Sequence, residues 1–152
     1  MKITKISQEG VNLIKKYEGW SAKPYMCPAR VATIGYGNTF YEDGTKVKMT
    51  DAPIDKERGE QLLRNSLVSF ENYVDSYCID SINQNQFDAL VSFCYNLGPA
   101  NLKSSTLLKK VNKNPDDATI ANEFNKWVKA GGKTLQGLVK RRTEESELYF
   151  KK

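Results

Sequence analysis

Glu18, Cys27 and Thr33 put a carboxylate, a thiol and a hydroxyl within one short stretch, EGWSAKPYMCPARVAT, spaced nine and then six residues apart. The 152-residue chain contains no histidine. A Ser-His-Asp or Cys-His nucleophile system and a His-containing zinc site are therefore excluded, and proton transfer near neutral pH falls to carboxylates, lysines or a perturbed thiol. Glu18 falls in the last turn of an expected helix. The partial negative charge of a helix C-terminus disfavours a further negative charge there, which is the bias a proton donor needs. An ordinary surface glutamate would occupy the same position, so spacing has to add to the argument. Cys27 has an ordinary thiol pKa of ~8.5, which leaves it mostly protonated at neutral pH unless its surroundings intervene. Thr33 taken alone is a common strand residue.

The elements that must hold these groups are legible from pattern. Ser7 is a plausible N-cap for a helix over residues 7–18, with Val11, Ile14 and Tyr17 on one stripe and Gly19 as its stop. Residues 24–49 change character, with Pro24, Pro28, Gly35, Gly37 and Gly44 between β-prone stretches. Residues 31–36 and 46–49 are strand candidates and Asp43-Gly44 is a turn signal, so a small antiparallel sheet is expected. After Pro53 the chain turns helical. Asp55 can cap a long helix reaching Cys78, and Asn83 with Gln86 makes a capping-box pattern before FDALVSFCYNL, which Gly98 closes. Further helices are expected over 105–112, 115–129 and 135–149, with Ser104 and Ser105 as caps. The fold class is α+β: an N-terminal helix, a small sheet lobe over about 1–52 and a larger helical lobe over 53–152. One domain is expected, with a cleft between the lobes.

The stretch around Glu18, Cys27 and Thr33 resembles the glycoside hydrolase family of phage-type lysozymes (T4-like and lambdoid endolysins). Its signature is a Glu, eight residues, Asp or Cys, five residues and a Thr leading into a TIGYG-like strand, here Thr33-Ile34-Gly35-Tyr36-Gly37. The likeness continues in NQFDALVSFCYNLG, SSTLLKKVN, EFNKWVKAGGK and GLVKRR, collinear over nearly the whole chain. It implies hydrolysis of the β-1,4 bond between N-acetylmuramic acid and N-acetylglucosamine in peptidoglycan, with Glu18 as general acid and Thr33 positioning the attacking water. Where some members carry Asp, this chain carries Cys27, which can act as a thiolate base, orient a water or attack directly. Inversion would need room for a water, roughly 6.5–9.5 Å between two carboxylates. The likeness further implies that Tyr95 stacks on a sugar, that Asn96 bonds an N-acetyl group, and that Ser105 contacts glycan after its capping role. It also implies that Arg141 or Arg142 pairs with Glu18, which would oppose the helix-end bias and leaves the net effect open. Trp127 fits a core stripe better than a sugar platform.

Three cysteines without CxxC spacing argue against a disulfide framework, and Cys78 and Cys94 read as buried small hydrophobes. No apolar run approaches the ~18 residues that span a bilayer, and the charged N-terminus lacks a secretory h-region. The net charge of +5 is uneven: residues 1–102 hold 11 basic and 12 acidic side chains, residues 103–152 hold 12 and 6. A basic segment suits an anionic partner. Peptidoglycan is expected to be that partner rather than nucleic acid, for which no recognition motif is present. No metal or organic cofactor is implied, and a monomer is expected. With no export signal in view, the expectation is accumulation in the host cytoplasm and holin-dependent access to the periplasm and wall. The alternative reading is a glycan-binding protein on the same scaffold, impaired in catalysis by Cys27.

Overall fold

The computed structural model describes residues 2–152. Its contacts form two compact units, Ile14–Val68 and the chain up to Leu13 with Ser69–Lys152. The element order among the described residues is α1 (Gln8–Glu18), β1 (Ser21–Met26), β2 (Ala32–Gly35), α2 (Lys56–Tyr77), α3 (Gln84–Leu97), α4 (Pro99–Ser104), α5 (Thr106–Lys113), α6 (Ile120–Asn125), β3 (Lys129–Ala130), β4 (Lys133–Thr134) and α7 (Gln136–Phe150). This is the expected α+β class, with mostly helix and two small antiparallel sheets.

In the 14–68 unit, β1 and β2 pair antiparallel with Tyr25 opposite Thr33 and Met26 opposite Ala32. The ladder is irregular between Ser21 and Tyr25. Pro24 sits in that gap, where its missing N–H breaks no regular ladder bond. That is how β1 accommodates Pro24 within its span. After β2 the chain reverses tightly, with Ile34 and Asn38 each donating its N–H to the other's carbonyl at 2.9 Å. The buried Asn38 then donates to the Leu62 carbonyl at 3.2 Å and to Ser66 Oγ at 2.7 Å, tying the turn to α2. Ile34, Val47 and Leu62 form the core here, with Ala32, Tyr41 and Ile54 packed on it. The strand expected over 46–49 reduces to a single bridge between Phe40 and Lys46. Asp51 explains the loss: its carboxylate accepts from the Lys48 N–H at 2.8 Å and from Tyr41 Oη at 2.7 Å, and curls the chain out of the ladder.

In the other unit α3 is the centre. Its capping box is formed from both sides, Gln86 N–H to Asn83 Oδ1 at 2.8 Å and Asn83 N–H to Gln86 Oε1 at 2.9 Å. Gln86–Cys94 is buried without a break, as an apolar-all-round helix requires. Phe93 meets Phe124 and Trp127 edge-on at 5.7 Å each, so Trp127 is a core partner as expected. Ser7 caps α1 through its Oγ, while Asp88 takes the Ser7 N–H at 3.0 Å. Pro99–Ser104 forms a short helix that the sequence reading did not include, started by Pro99 at its first turn. One expectation fails here: the helix expected over 115–129 shrinks to Ile120–Asn125. Asn114 and Asp117 side chains capture the N–H groups of Asp116 and Thr119 at 3.0 and 2.9 Å, holding turns where the helix was expected to begin. After Asn125 the chain enters the β3–β4 hairpin, whose Gly131 and Gly132 both adopt positive φ.

Candidate active site

Glu18 is the last residue of α1, and the Gly19 N–H closes that helix on the Lys15 carbonyl at 3.1 Å. Lys15 anchors the helix end twice: it pairs with Glu60 of α2, and its ammonium lies 5.3 Å from the Tyr36 ring centre. Trp20 packs on the same ring at 4.9 Å. These contacts bring the end of α1 to the turn that follows β2. There Gly37 has φ +89°, and a Cβ on it would stand 3.1 Å from Glu18 Oε1. Glycine is required twice, once by the backbone and once by the carboxylate lying against it. The carboxylate is half-buried.

Cys27 follows the end of β1 and opens the turn to β2. Its N–H donates to the Val31 carbonyl at 3.1 Å, and its own carbonyl accepts from Arg30 at 2.8 Å. Arg30 takes φ +61°, the left-handed region a non-glycine residue enters only when a turn compels it. The backbone of Val31, and after it the side chain of Thr33, favour the thiolate and hold the Cys27 thiol below its ordinary value. Thr33 itself is 3% exposed and donates its hydroxyl to the Val31 carbonyl at 2.9 Å. The thiol opens on a cavity of about 680 Å³ walled by Val31, Phe40 and Val47 and flanked by Arg30 and Lys46. Cys78 and Cys94 are buried, and burial pushes both thiols up to about 12. Glu18, Cys27 and Thr33 therefore fall in one compact unit, whose β1–β2 turn and β2–Gly37 reversal position them.

Tyr95, Asn96 and Ser105 belong to the other unit. Tyr95 is half-buried and meets Phe70 edge-on at 5.1 Å. Asn96 is exposed, and its Oδ1 accepts from Arg142 Nη2 at 2.7 Å. Ser105 is 3% exposed, donates its hydroxyl to the Leu102 carbonyl at 2.7 Å and accepts from the Leu108 N–H at 3.0 Å. Its hydroxyl caps α5, the first of the two roles expected for it. Arg141 and Arg142 both pair with Glu145, at 3.3 and 2.9 Å. Glu145 also accepts from Ser92 Oγ at 2.5 Å. Burial pushes the Glu145 carboxyl up while the two arginines pull it down, and burial prevails. Sequence reasoning did not single out Gly37 or Glu145. The first carried a signal as one of the two glycines in TIGYG; the second had only its i+3 and i+4 spacing from the arginines. Among the described residues no group of three or more His, Cys, Asp or Glu is placed to hold a metal ion.

The chain belongs to the phage lysozyme family, whose profile matches residues 15–145. The endolysin of Bacillus phage B103 is 45% identical over 147 residues, covering 95% of this chain and 54% of the relative, so the chain spans about half the length of that protein. Among solved structures, an endolysin from Escherichia coli O157:H7 phage FAHEc1 matches with a TM-score of 0.87 and 34% identity, over 96% of this chain and 93% of that one. The muramidase domain of SpmX from Asticaccaulis excentricus matches with a TM-score of 0.83 and 33% identity, over 97% and 99%.

Proposed function

We propose that the protein is a phage endolysin acting as a muramidase, which hydrolyses the β-1,4 bond between N-acetylmuramic acid and N-acetylglucosamine in peptidoglycan to lyse the host. Family membership supports lytic hydrolase chemistry. The observation that carries the reading is the Glu18 carboxylate set against Gly37 in the unit that also holds Thr33 and a thiol biased toward thiolate. Glu18, protonated, donates its proton to the departing glycosidic oxygen. Cys27, as thiolate, takes a proton from a water whose oxygen attacks the muramic C1, and the Thr33 hydroxyl positions that water. Two separate proton carriers of this kind lead to inversion at C1. Tyr95 and Asn96 contact the glycan. The protein accumulates in the host cytoplasm and reaches the wall through a holin-made opening, working as a monomer. No described helix is long and apolar enough to cross a membrane.

The test is reducing-end release from purified peptidoglycan by the wild type, Glu18→Gln and Cys27→Ala. The wild type is expected to cleave. Glu18→Gln, which cannot donate the proton, is expected to lose at least about 10²-fold, the low end of general acid catalysis. Cys27→Ala is expected to lose a similar factor, with the α-anomer as the first product of the wild type. A wild type that binds the polymer and releases nothing leaves a binding protein instead.

A further inference from the structure

The cavity on which Cys27 opens is walled entirely from the 14–68 unit, by the β1–β2 turn on one side and by residues 39–47 on the other. Both walls are tied at the backbone. The Cys27 N–H and the Val31 carbonyl close the first, and in the second the Val47 N–H meets the Thr39 carbonyl at 2.9 Å, beside the Phe40–Lys46 bridge. Val47 is 5% exposed and belongs to the core of the unit, whereas Val31 and Phe40 are 45% and 48% exposed. Two large apolar side chains are thus kept in water beside a space of about 680 Å³, inside the ~300–1,000 Å³ range of small-ligand sites.

The charge around this space has one sign. Arg30 and Lys46 flank it, both exposed and neither with an ion-pair partner among the described residues, and no carboxylate lines it. Elsewhere in the same unit Lys15 and Arg64 are paired with Glu60, and Arg58 with Glu42. Two smaller cavities of about 440 Å³ both have carboxylates in their walls, Glu57 and Glu60 in one and Asp116 in the other. A concave surface lined by one sign of charge concentrates the opposite sign, so an anion is favoured at the Cys27 cavity. Volume, apolar walls and two unpaired cations together describe a short acidic peptide with small apolar side chains.

We infer that this cavity binds the stem peptide that peptidoglycan carries on the lactyl ether of the muramic residue under attack. Val31, Phe40 and Val47 take the lactyl and alanyl methyls, and Arg30 and Lys46 take the free glutamyl carboxylate. The inference rests on the muramidase reading, which supplies the polymer and puts the attacked C1 beside Cys27. The lactyl ether leaves the same ring at C3, two bonds from C1, so the stem begins next to the mouth of the cavity. A phosphodiester polymer would satisfy the cations and leave the apolar walls uncovered. The site therefore selects peptide-bearing glycan over bare glycan, with residues that take no part in breaking the bond.

The test compares reducing-end release from glycan strands with their stems intact and from the same strands stripped by an N-acetylmuramyl-L-alanine amidase. The wild type is expected to show kcat/KM at least about tenfold higher on the stem-bearing strands, the low end of what one apolar group in a pocket discriminates. Lys46→Glu and Phe40→Ala are expected to bring that ratio severalfold closer to one, through the stem-bearing substrate. Arg30→Asn does the same and keeps at position 30 a residue that tolerates its left-handed backbone. All three side chains are exposed, so melting temperatures should stay near that of the wild type. Direct binding uses lactyl-L-alanyl-D-glutamine, whose side-chain amide stands in for the γ-link and whose α-carboxylate is free. It is expected to shift the Val31 and Val47 methyl resonances saturably, and its uncharged α-amide to bind severalfold more weakly. A wild type that cleaves both substrates within twofold of each other, or a preference that the three variants leave unchanged, overturns this inference and leaves the muramidase reading standing. Release from neither substrate, with the fragment still shifting Val31 and Val47, overturns the muramidase reading alone; no release and no shift overturn both.

Discussion

Cys27 differs from the chain's two other cysteines by environment alone. A backbone group of Val31 and the Thr33 side chain favour its thiolate, whereas Cys78 and Cys94 lie among apolar side chains that favour the neutral thiol. With its pKa lowered, Cys27 holds more thiolate at pH 7 than an unperturbed thiol and loses it as the pH falls through that lowered value. Iodoacetamide at pH 7 is therefore expected to label Cys27 faster than glutathione of matched concentration, while Cys78 and Cys94 stay unlabelled in the folded protein. Peptide mass spectrometry over a time course reads all three. Labelling of Cys78 or Cys94 at a comparable rate would contradict the burial argument.

At the scale of elements, the end of α1 is kept in place by α2, and the fit leaves no slack at Gly59. Alanine in an exposed helix interior is ordinarily about 1 kcal/mol better than glycine. At Gly59 the sign should reverse, because a Cβ there runs into the Trp20 ring, whose Cη2 would lie 3.0 Å away and whose Cζ3 would be nearer still. Trp20 cannot swing clear without losing Tyr36. Gly59→Ala is expected to cost about 1–3 kcal/mol, the range for overpacking a filled site, measured as a lower urea midpoint at unchanged slope. A stabilised variant would mean that the indole has room to move. Because Lys15, Trp20 and Tyr36 fasten the residues on either side of Glu18, the same variant should lose activity before it loses fold.

Over the whole molecule, charge is segregated in the chain: residues 1–102 sum to −1 and residues 103–152 to +6, which together make +5. Part of the basic surplus is spent internally, with Lys110 and Lys126 on Glu123 and both Arg141 and Arg142 on Glu145. Lys109, Lys113, Lys129, Lys133, Lys140 and Lys152 are exposed. Under the proposed function these exposed charges would meet an anionic wall through solvent, where the screening length is about 10 Å at 0.1 M salt. Raising salt from about 50 to about 300 mM should slow lysis of intact walls severalfold, because both encounter and retention on an anionic surface weaken. Affinity for uncharged tri-N-acetylchitotriose should change little. Equal loss on both substrates would assign the salt effect to the site rather than to the surface.

Much of the fold is legible in the sequence. The α1, α3 and α7 helices, the Asn83–Gln86 box and the core role of Trp127 follow from period, caps and composition, because those signals act between residues a few positions apart. So does the spacing of Glu18, Cys27 and Thr33, since a helix end and a two-strand turn are local structures. What failed also failed for local reasons read too simply. The helix expected from Pro115 gave way to Asn114 and Asp117 side chains competing for the backbone, and the strand at 46–49 gave way to Asp51. Only the tertiary structure placed Gly37 against Glu18, buried the Ser105 hydroxyl that sequence had offered to the glycan, and turned the Asn96 amide by way of Arg142. Those three outcomes join residues 19, 3 and 46 positions apart. The short one, Ser105 to Leu102, is a local cap on a residue that is itself buried. Which atom of a side chain is left to meet a substrate depends on what its other atoms already hold, and that is settled by packing between elements that no spacing in the sequence specifies.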